Sequence, residues 1–134
     1  WMVKKIWNSD TQYNVLPEKY YGIEYWNNIL SNSGMRKDLP WHRDKDEYLQ
    51  HNANILKTPY IGSVYYAHKE LPGEGYLEII RGENRNDVER IQPVPNRLVI
   101  FNSDVMHRVT PVTNGIRRCF ATNVWINSPH EENF

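Results

Sequence analysis

The pair His42 and Asp44 offers the clearest chemistry in the sequence, because an imidazole and a carboxylate stand two residues apart. On an extended segment, side chains at this spacing point to the same side of the chain. They can therefore supply two neighbouring ligands to a borderline metal ion, with a third ligand from elsewhere in the chain. The spacing alone is weak evidence, since the charged neighbours Arg43 and Lys45 would also suit a surface loop.

The stretch from Val99 to Trp125 strengthens the metal hypothesis. It contains the pattern H-x-V-x-P-V-x-x-G-x-R, matched by His107, Val109, Pro111, Val112, Gly115 and Arg117. Together with the earlier H-x-D, this pattern resembles the prolyl 4-hydroxylase-like branch of the 2-oxoglutarate/Fe(II) dioxygenases, and the resemblance runs from Trp41 to Ile126. In that family two histidines and one carboxylate hold iron on one face and leave the remaining positions open.

The resemblance implies that His42, Asp44 and His107 are the ligands of Fe(II). It further implies that Arg117 binds the distal carboxylate of 2-oxoglutarate, a role for which the planar guanidinium fork is well suited. The motif spacing selects Arg117 over Arg118, whose side chain on a strand points the opposite way and is expected to face solvent or an acidic partner. Dioxygen is the implied co-substrate, and ascorbate is a further cofactor that the resemblance suggests.

The middle of the chain matches the same family. Val64-Tyr65-Tyr66 resembles the strand whose second tyrosine hydrogen-bonds the co-substrate, which points to Tyr66. Leu77 corresponds to the leucine of a G-G-x-L turn that packs on the co-substrate, although Glu74 replaces its first glycine. Trp125 stands where an aromatic residue often lies beside the site. The tyrosine that often precedes H-x-D is missing between Ser31 and Trp41, so that role is vacant or filled by Trp41.

These candidates need a β framework to bring them together. Apolar residues spaced by three or four predict an amphipathic helix between Pro17 and Gly34. Later, short β-rich runs recur at intervals of about ten residues with turn signals between them, which is typical of a sandwich or barrel. The expected fold is mainly β with an N-terminal helix, a double-stranded β-helix or jelly roll. Strands are predicted at 60–67, 76–80, 96–102, 107–112 and 118–126, with a turn at 71–75 and a polar loop at 81–90.

Length and composition limit the alternatives. The 134 residues suit one domain, divided into a helical support segment (1–40), a jelly-roll core (41–126) and a tail (127–134). Lysine plus arginine and aspartate plus glutamate number 16 each, so there is no general attraction to nucleic acid or an anionic membrane. With one cysteine, no glycosylation sequon and no long apolar run, we expect a soluble, cytoplasmic protein that is not secreted.

Other reactive residue types have simpler interpretations. His51, His68 and His130 lack partners at a meaningful spacing and are predicted to be surface residues, His130 in a loosely ordered tail. Asp46 and Glu47 are assigned to a solvated loop that could close on a substrate. Cys119 is interpreted as a small apolar strand residue.

The activity implied by the resemblance is hydroxylation of a C–H bond, coupled to conversion of 2-oxoglutarate to succinate and carbon dioxide. A peptidyl proline is the expected substrate, and a free amino acid or other small metabolite is the alternative. Repair of alkylated nucleobases is disfavoured, because the R-x-N-x-T-x-R strand of that branch is not matched from Arg117 to Asn123. A jelly-roll binding module without turnover remains a different class of function.

Overall fold

Two four-stranded antiparallel sheets dominate the computed structural model, which describes residues 19–130. Among those residues, no helix has the length and apolar character needed to cross a membrane. The strands are β1 (Gly22–Ser31), β2 (Leu39–His42), β3 (Ile61–Tyr66), β4 (Gly73–Glu74), β5 (Leu77–Ile80), β6 (Val88–Ile91), β7 (Leu98–Phe101), β8 (His107–Val109), β9 (Val112–Asn114) and β10 (Ile116–Trp125), and the described helix α1 is Glu47–Ala53.

The first sheet has the strand order β1-β10-β3-β7, and the second has the order β2-β8-β5-β6. A separate two-stranded ribbon pairs β4 with β9, which directly precedes β10 in the chain. Neighbouring strands in the sheets are mostly distant in sequence, as in β1 with β10 and β2 with β8. This arrangement is mainly β and is consistent with the expected jelly roll.

The predicted strands at 60–67, 76–80, 96–102 and 118–126 correspond to β3, β5, β7 and β10. The run predicted at 107–112 is divided into β8 and the start of β9. The expected polar loop at 81–90 is wrong at its end, because β6 begins at Val88 and pairs with β5. This edge strand was not recognisable in the sequence, because the segment is rich in charged residues, namely Asp87, Glu89 and Arg90. Its alternate residues are exposed.

The helix predicted between Pro17 and Gly34 is wrong over its described part. Residues 22–31 form β1, whose ten residues all pair with β10, while residues 17 and 18 lie outside the described part. Both faces of β1 carry large apolar side chains, with Tyr25 on one and Trp26 on the other, so no clean alternation is visible in the sequence. Pairing with β10 overrides the weak helical spacing.

The segment 45–59 contains a helix rather than a simple solvated loop. Asp46 is 4% exposed and caps α1, accepting a hydrogen bond from the Leu49 backbone N–H at 3.1 Å. The backbone N–H of His130 donates to the other carboxylate oxygen at 2.6 Å, and the imidazole stacks edge-on against Tyr48. The predictions of a solvated Asp46 and of an unpartnered His130 are therefore wrong.

Candidate metal centre

His42, Asp44 and His107 come together in a pocket that is lined by strands of both sheets. The Asp44 Oδ1 atom lies 3.7 Å from Nε2 of His42 and 3.7 Å from Nε2 of His107. One donor atom from each residue lies within 4.8 Å of the others. The three residues predicted from two separate motifs thus form one cluster.

A β-bulge in β2 turns His42 toward this cluster. Leu39 pairs with Val109 and His42 pairs with His107, so three steps along β2 match two steps along β8. The extra residue places Leu39 and His42 on the same face of the sheet, although their separation in sequence would otherwise put them on opposite faces. Trp41 consequently lies on the other face, where the Arg108 guanidinium sits 4.9 Å from the centre of its ring.

Backbone carbonyl groups orient both imidazoles. Nδ1 of His42 lies 2.7 Å from the Pro40 oxygen, and Nδ1 of His107 lies 3.0 Å from the Val105 oxygen. A carbonyl oxygen can only accept, so each Nδ1 carries a proton, and in the neutral imidazole this tautomer leaves the Nε2 lone pair free on the side of the cluster. Burial lowers the pKa of His107, outweighing the opposing effects of the Val105 carbonyl and Asp44. His107 is thereby held in the neutral form that a metal requires.

The donor set and its spacing fit a small transition-metal ion. Donors about 2.1 Å from a metal at adjacent octahedral positions lie about 3 Å apart. The 3.7 Å separations here need to shorten by less than about 1 Å to reach that geometry. Two imidazoles and one carboxylate, with three sites left over, match the ligand preference of non-haem iron.

The cluster shares its pocket with Arg117. The walls come from β1, β3, β7 and β10 of the first sheet and from β2, β5 and β8 of the second. The lining residues are Trp26, Asn28, Leu39, His42, Asp44, Ser63, Val64, Leu77, Phe101, His107, Val109, Arg117, Cys119, Ala121, Thr122 and Asn123.

Arg117 is a buried cation without a carboxylate partner among residues 19–130. It is 1% exposed, and its Nε donates to the Gly75 carbonyl at 3.0 Å. Its other nitrogens lie 3.4 Å from the Tyr66 hydroxyl and 3.5 Å from Cys119 Sγ, both neutral partners. Arg118 on the adjacent position is exposed, as strand parity predicts. A buried guanidinium is costly unless an anion pairs with it, so this end of the pocket suits the carboxylate of a ligand.

The turn before β5 holds the arginine in place. Gly75 has φ +68°, and a Cβ added there would lie 3.1 Å from Arg117 Cδ and 3.0 Å from a methyl group of Val112. Both its backbone conformation and its contact with Arg117 therefore require glycine. Glu74 also has a positive φ, 55°, a backbone conformation that glycine adopts more readily than other residues.

The other predicted site residues differ in their relation to the pocket. Leu77 is 1% exposed and lines it. Tyr66 lies behind Arg117 rather than in the lining, with the guanidinium 5.0 Å from the centre of its ring. Burial raises the pKa of Tyr66, against the influence of Arg117, so its hydroxyl remains protonated. Trp125 lines a neighbouring cleft at the end of β10 instead.

Several pocket residues were not found from the sequence. Trp26 and Asn28 lie on β1, where the helical interpretation hid their common face. Asn123 also lines the pocket, and its Nδ2 donates to Glu24 Oε1 at 3.0 Å. Alternation along β10 from Arg117 is the signal that could have identified Asn123.

His68 differs from its expected surface position. It is 7% exposed, accepts the Arg118 backbone N–H at Nδ1 (3.2 Å) and donates from Nε2 to the Pro93 oxygen (2.6 Å). His51 is exposed and Cys119 is buried, in agreement with the interpretations from sequence. His68 thus ties β10 to the segment before β7 and lies outside the metal cluster.

Known proteins resemble this chain along most of its length. A family model described as the 2OG-Fe(II) oxygenase superfamily matches residues 28–127. A PKHD-type hydroxylase of Teredinibacter turnerae is 30% identical over 113 residues, which are 84% of this chain and 46% of that protein.

Solved structures show the same fold. A prolyl-4-hydroxylase of Pseudomonas putida superimposes with a TM-score of 0.64 at 15% identity, covering 87% of this chain and 57% of that one. A prolyl hydroxylase of Trichoplax adhaerens, in complex with a hypoxia inducible factor peptide fragment, gives 0.59 at 20% identity, covering 80% and 46%. The chain thus spans about half the length of the proteins it matches.

Proposed function

This chain belongs to the 2OG-Fe(II) oxygenase superfamily, and from that premise we propose that it is an iron- and 2-oxoglutarate-dependent dioxygenase that hydroxylates a peptidyl proline. His42, Asp44 and His107 are the proposed ligands of Fe(II). Arg117 is the proposed anchor of 2-oxoglutarate, with Tyr66 and Leu77 as supporting residues. The proposed products are the hydroxylated substrate, succinate and carbon dioxide, formed on a jelly-roll framework.

The observation that carries this proposal is a cluster of potential metal ligands in the same pocket as a buried cation that has no carboxylate partner among residues 19–130. The cluster leaves ligand positions free, and Arg117 lacks a carboxylate within the described residues. 2-Oxoglutarate has a keto-acid end that can chelate iron and a second carboxylate that can pair with an arginine. One molecule therefore satisfies both ends of the pocket.

Each residue has a physical task in this proposal. When bound, Fe(II) with 2-oxoglutarate supplies the oxidative chemistry, and the protein supplies binding, orientation and shielding. The Pro40 and Val105 carbonyls hold the imidazoles in the tautomer that leaves Nε2 free. The Tyr66 hydroxyl accepts from Arg117 and keeps its own proton to donate to a carboxylate. Leu77 gives the co-substrate an apolar wall, which keeps water from the ion pair.

The charges of the pocket favour a peptidyl substrate over a free amino acid. Arg117 is the one lysine or arginine among the described lining residues, and the co-substrate occupies it. A free amino acid would bring its own carboxylate into a space with no second basic side chain and with Glu24 bonded to Asn123 nearby. A residue within a peptide has no such charge. The cytoplasmic location and the division into 1–40, 41–126 and 127–134 stay predictions.

Turnover experiments test this function. Protein supplied with Fe(II), 2-oxoglutarate, ascorbate and air should release succinate in proportion to oxygen added to a proline-containing peptide, as measured by mass spectrometry. Arg117→Ala should abolish coupled turnover, while the matched change Arg118→Ala on the exposed neighbouring position should retain it. If free amino acids stimulated succinate release and peptides did not, the small-metabolite alternative would be favoured over a peptidyl substrate. Iron and 2-oxoglutarate binding without any turnover would favour a binding module.

A further inference from the structure

Trp26 presents a large apolar ring to the pocket. It is 37% exposed and lines the same pocket as the metal cluster. Among residues 19–130 it makes none of the ring stacking or cation–π contacts that other aromatic residues make, such as Trp41 with Arg108. An exposed indole at a pocket wall is a surface to which another apolar group can bind.

The register of β1 and β10 places Trp26 away from Arg117. Leu30 pairs with Arg117, whereas Trp26 pairs with Ala121. Four residues along a strand correspond to about 13 Å, so the indole lies well beyond the site that anchors the co-substrate. Ala121 is small, which leaves room next to the ring on the neighbouring strand. Trp26 therefore flanks the part of the pocket that a substrate, rather than 2-oxoglutarate, would occupy.

Two residues further along β10 lies a hydrogen-bond acceptor that has no partner within the described residues. Asn123 pairs with Glu24, and its Nδ2 donates to the Glu24 carboxylate at 3.0 Å. Because a carboxylate can only accept, this bond fixes the amide with Oδ1 on the opposite side. That oxygen is buried and has no partner within the described residues. Gly62 on β3 lies beside this oxygen, and a Cβ there would crowd Oδ1 at 3.0 Å and the Ser103 Oγ at 3.1 Å, so the position favours glycine.

An unsatisfied buried acceptor beside an exposed indole defines a specific ligand chemistry. The acceptor requires a group that donates a hydrogen bond, because an unpaired buried polar atom is costly. The indole face attracts C–H groups that carry a small positive charge, as in a saturated ring. A proline ring supplies such C–H groups and has no N–H of its own within a peptide, so the donor has to come from the adjoining residue.

We propose that Trp26 and Asn123 form the substrate-recognition site, in which the ring of a peptidyl proline packs on the Trp26 indole and the N–H of a flanking residue donates to Asn123 Oδ1. This inference rests on the proposed function and adds the residues that select the substrate. Glu24 acts as a positioning residue, because it holds the Asn123 amide in the required orientation. Trp41, which the sequence offered for an aromatic role before H-x-D, lies on the other face of β2 and takes no part.

Peptide binding to the loaded protein tests the site. Protein is mixed anaerobically with Fe(II) and 2-oxoglutarate, and the visible charge-transfer band is followed while a blocked Ala-Pro-Ala peptide is added. Trp26→Ala should weaken peptide binding at least about tenfold, and Trp26→Phe, which keeps an aromatic face, by less than about threefold. Trp41→Ala is the matched control and should leave peptide affinity unchanged.

The Asn123 Oδ1 acceptor is tested with a series of peptides, each methylated at one backbone nitrogen of a residue that flanks the proline. One of them should bind wild-type protein about tenfold more weakly, and Asn123→Ala should bind that peptide and the parent equally. Three results would overturn the recognition site alone. Peptide affinity could be unchanged in Trp26→Ala, or it could fall equally in Trp26→Ala and Trp41→Ala. The peptide could also fail to bind although the charge-transfer band forms. Failure of the band in wild-type protein would overturn the proposed function, and this inference with it.

Discussion

Replacing Arg117 by methionine should stabilise the ligand-free protein while destroying its response to 2-oxoglutarate. The guanidinium is 1% exposed, and its described partners are a carbonyl, a hydroxyl and a thiol. Desolvation of an unpaired ion costs several kcal/mol, whereas the substitution leaves one or two acceptors unsatisfied at about 1 kcal/mol each. The expected net effect is an increase of about 1–3 kcal/mol in the free energy of unfolding.

Urea denaturation with and without 2-oxoglutarate measures both parts of this prediction. With Mn(II) in place of iron to prevent turnover, wild-type protein should gain about 2.7 kcal/mol at a 2-oxoglutarate concentration of 100 times its Kd. Arg117→Met should gain nothing, and Arg118→Met, on the exposed neighbouring position, should behave as wild type. A ligand-free Arg117→Met protein that is several kcal/mol less stable than wild type would refute the argument that Arg117 is held ready for an anion.

Three further changes test the framework of the site. Glu78 is 3% exposed at its side chain and accepts hydrogen bonds from Arg90 and Arg108; burial alone would raise its pKa, but these bonds outweigh it and hold the pKa below the ordinary 4.5. The ion pairs therefore stabilise the fold fully above pH 4.5 and lose their effect as the pH falls below it. Glu78→Gln should lower the free energy of unfolding by about 2 kcal/mol at pH 7 and by progressively less at acidic pH. A difference between the two proteins that does not change with pH would contradict this prediction. Asp46→Ala removes the cap of α1 and the contact with His130, and should lower the free energy of unfolding by about 1–2 kcal/mol in denaturant titrations. Gly75→Ala should destabilise by about 2 kcal/mol and also weaken 2-oxoglutarate binding, whereas Gly115→Ala, with φ +72° but its nearest atom 3.8 Å away, should show the backbone cost of about 1 kcal/mol alone.

The metal cluster could be anticipated because its residues lie in motifs with short, fixed spacing. His42 with Asp44, and His107 with Arg117, are each local patterns, and the structure brings them into one pocket. The β-bulge that directs His42 inward could not be anticipated, since it depends on how β2 pairs with β8. The residues that meet in the pocket were thus predictable from the sequence, whereas the reason for their orientation was not.

The wrong predictions share a physical cause: whether these residues are buried depends on partners that are distant in sequence. The stretch 22–31 has apolar residues on both faces, and only its pairing with β10 decides that it is a strand. That error concealed Trp26, because the common inward face of Trp26 and Asn28 exists only in an extended chain. His68 and Asp46 were assigned to the surface because their partners, Pro93 and His130, are 25 and 84 residues away in sequence.

The most direct measurement is an anaerobic spectral titration of Fe(II) and 2-oxoglutarate against wild-type protein and His107→Ala. Wild-type protein should develop the visible charge-transfer band of the iron–2-oxoglutarate chelate and saturate at one equivalent of iron. His107→Ala should lose the band, because only one imidazole and one carboxylate remain in the cluster. A wild-type protein without the band, or a band unchanged in His107→Ala, would contradict the assignment of this cluster as the iron site.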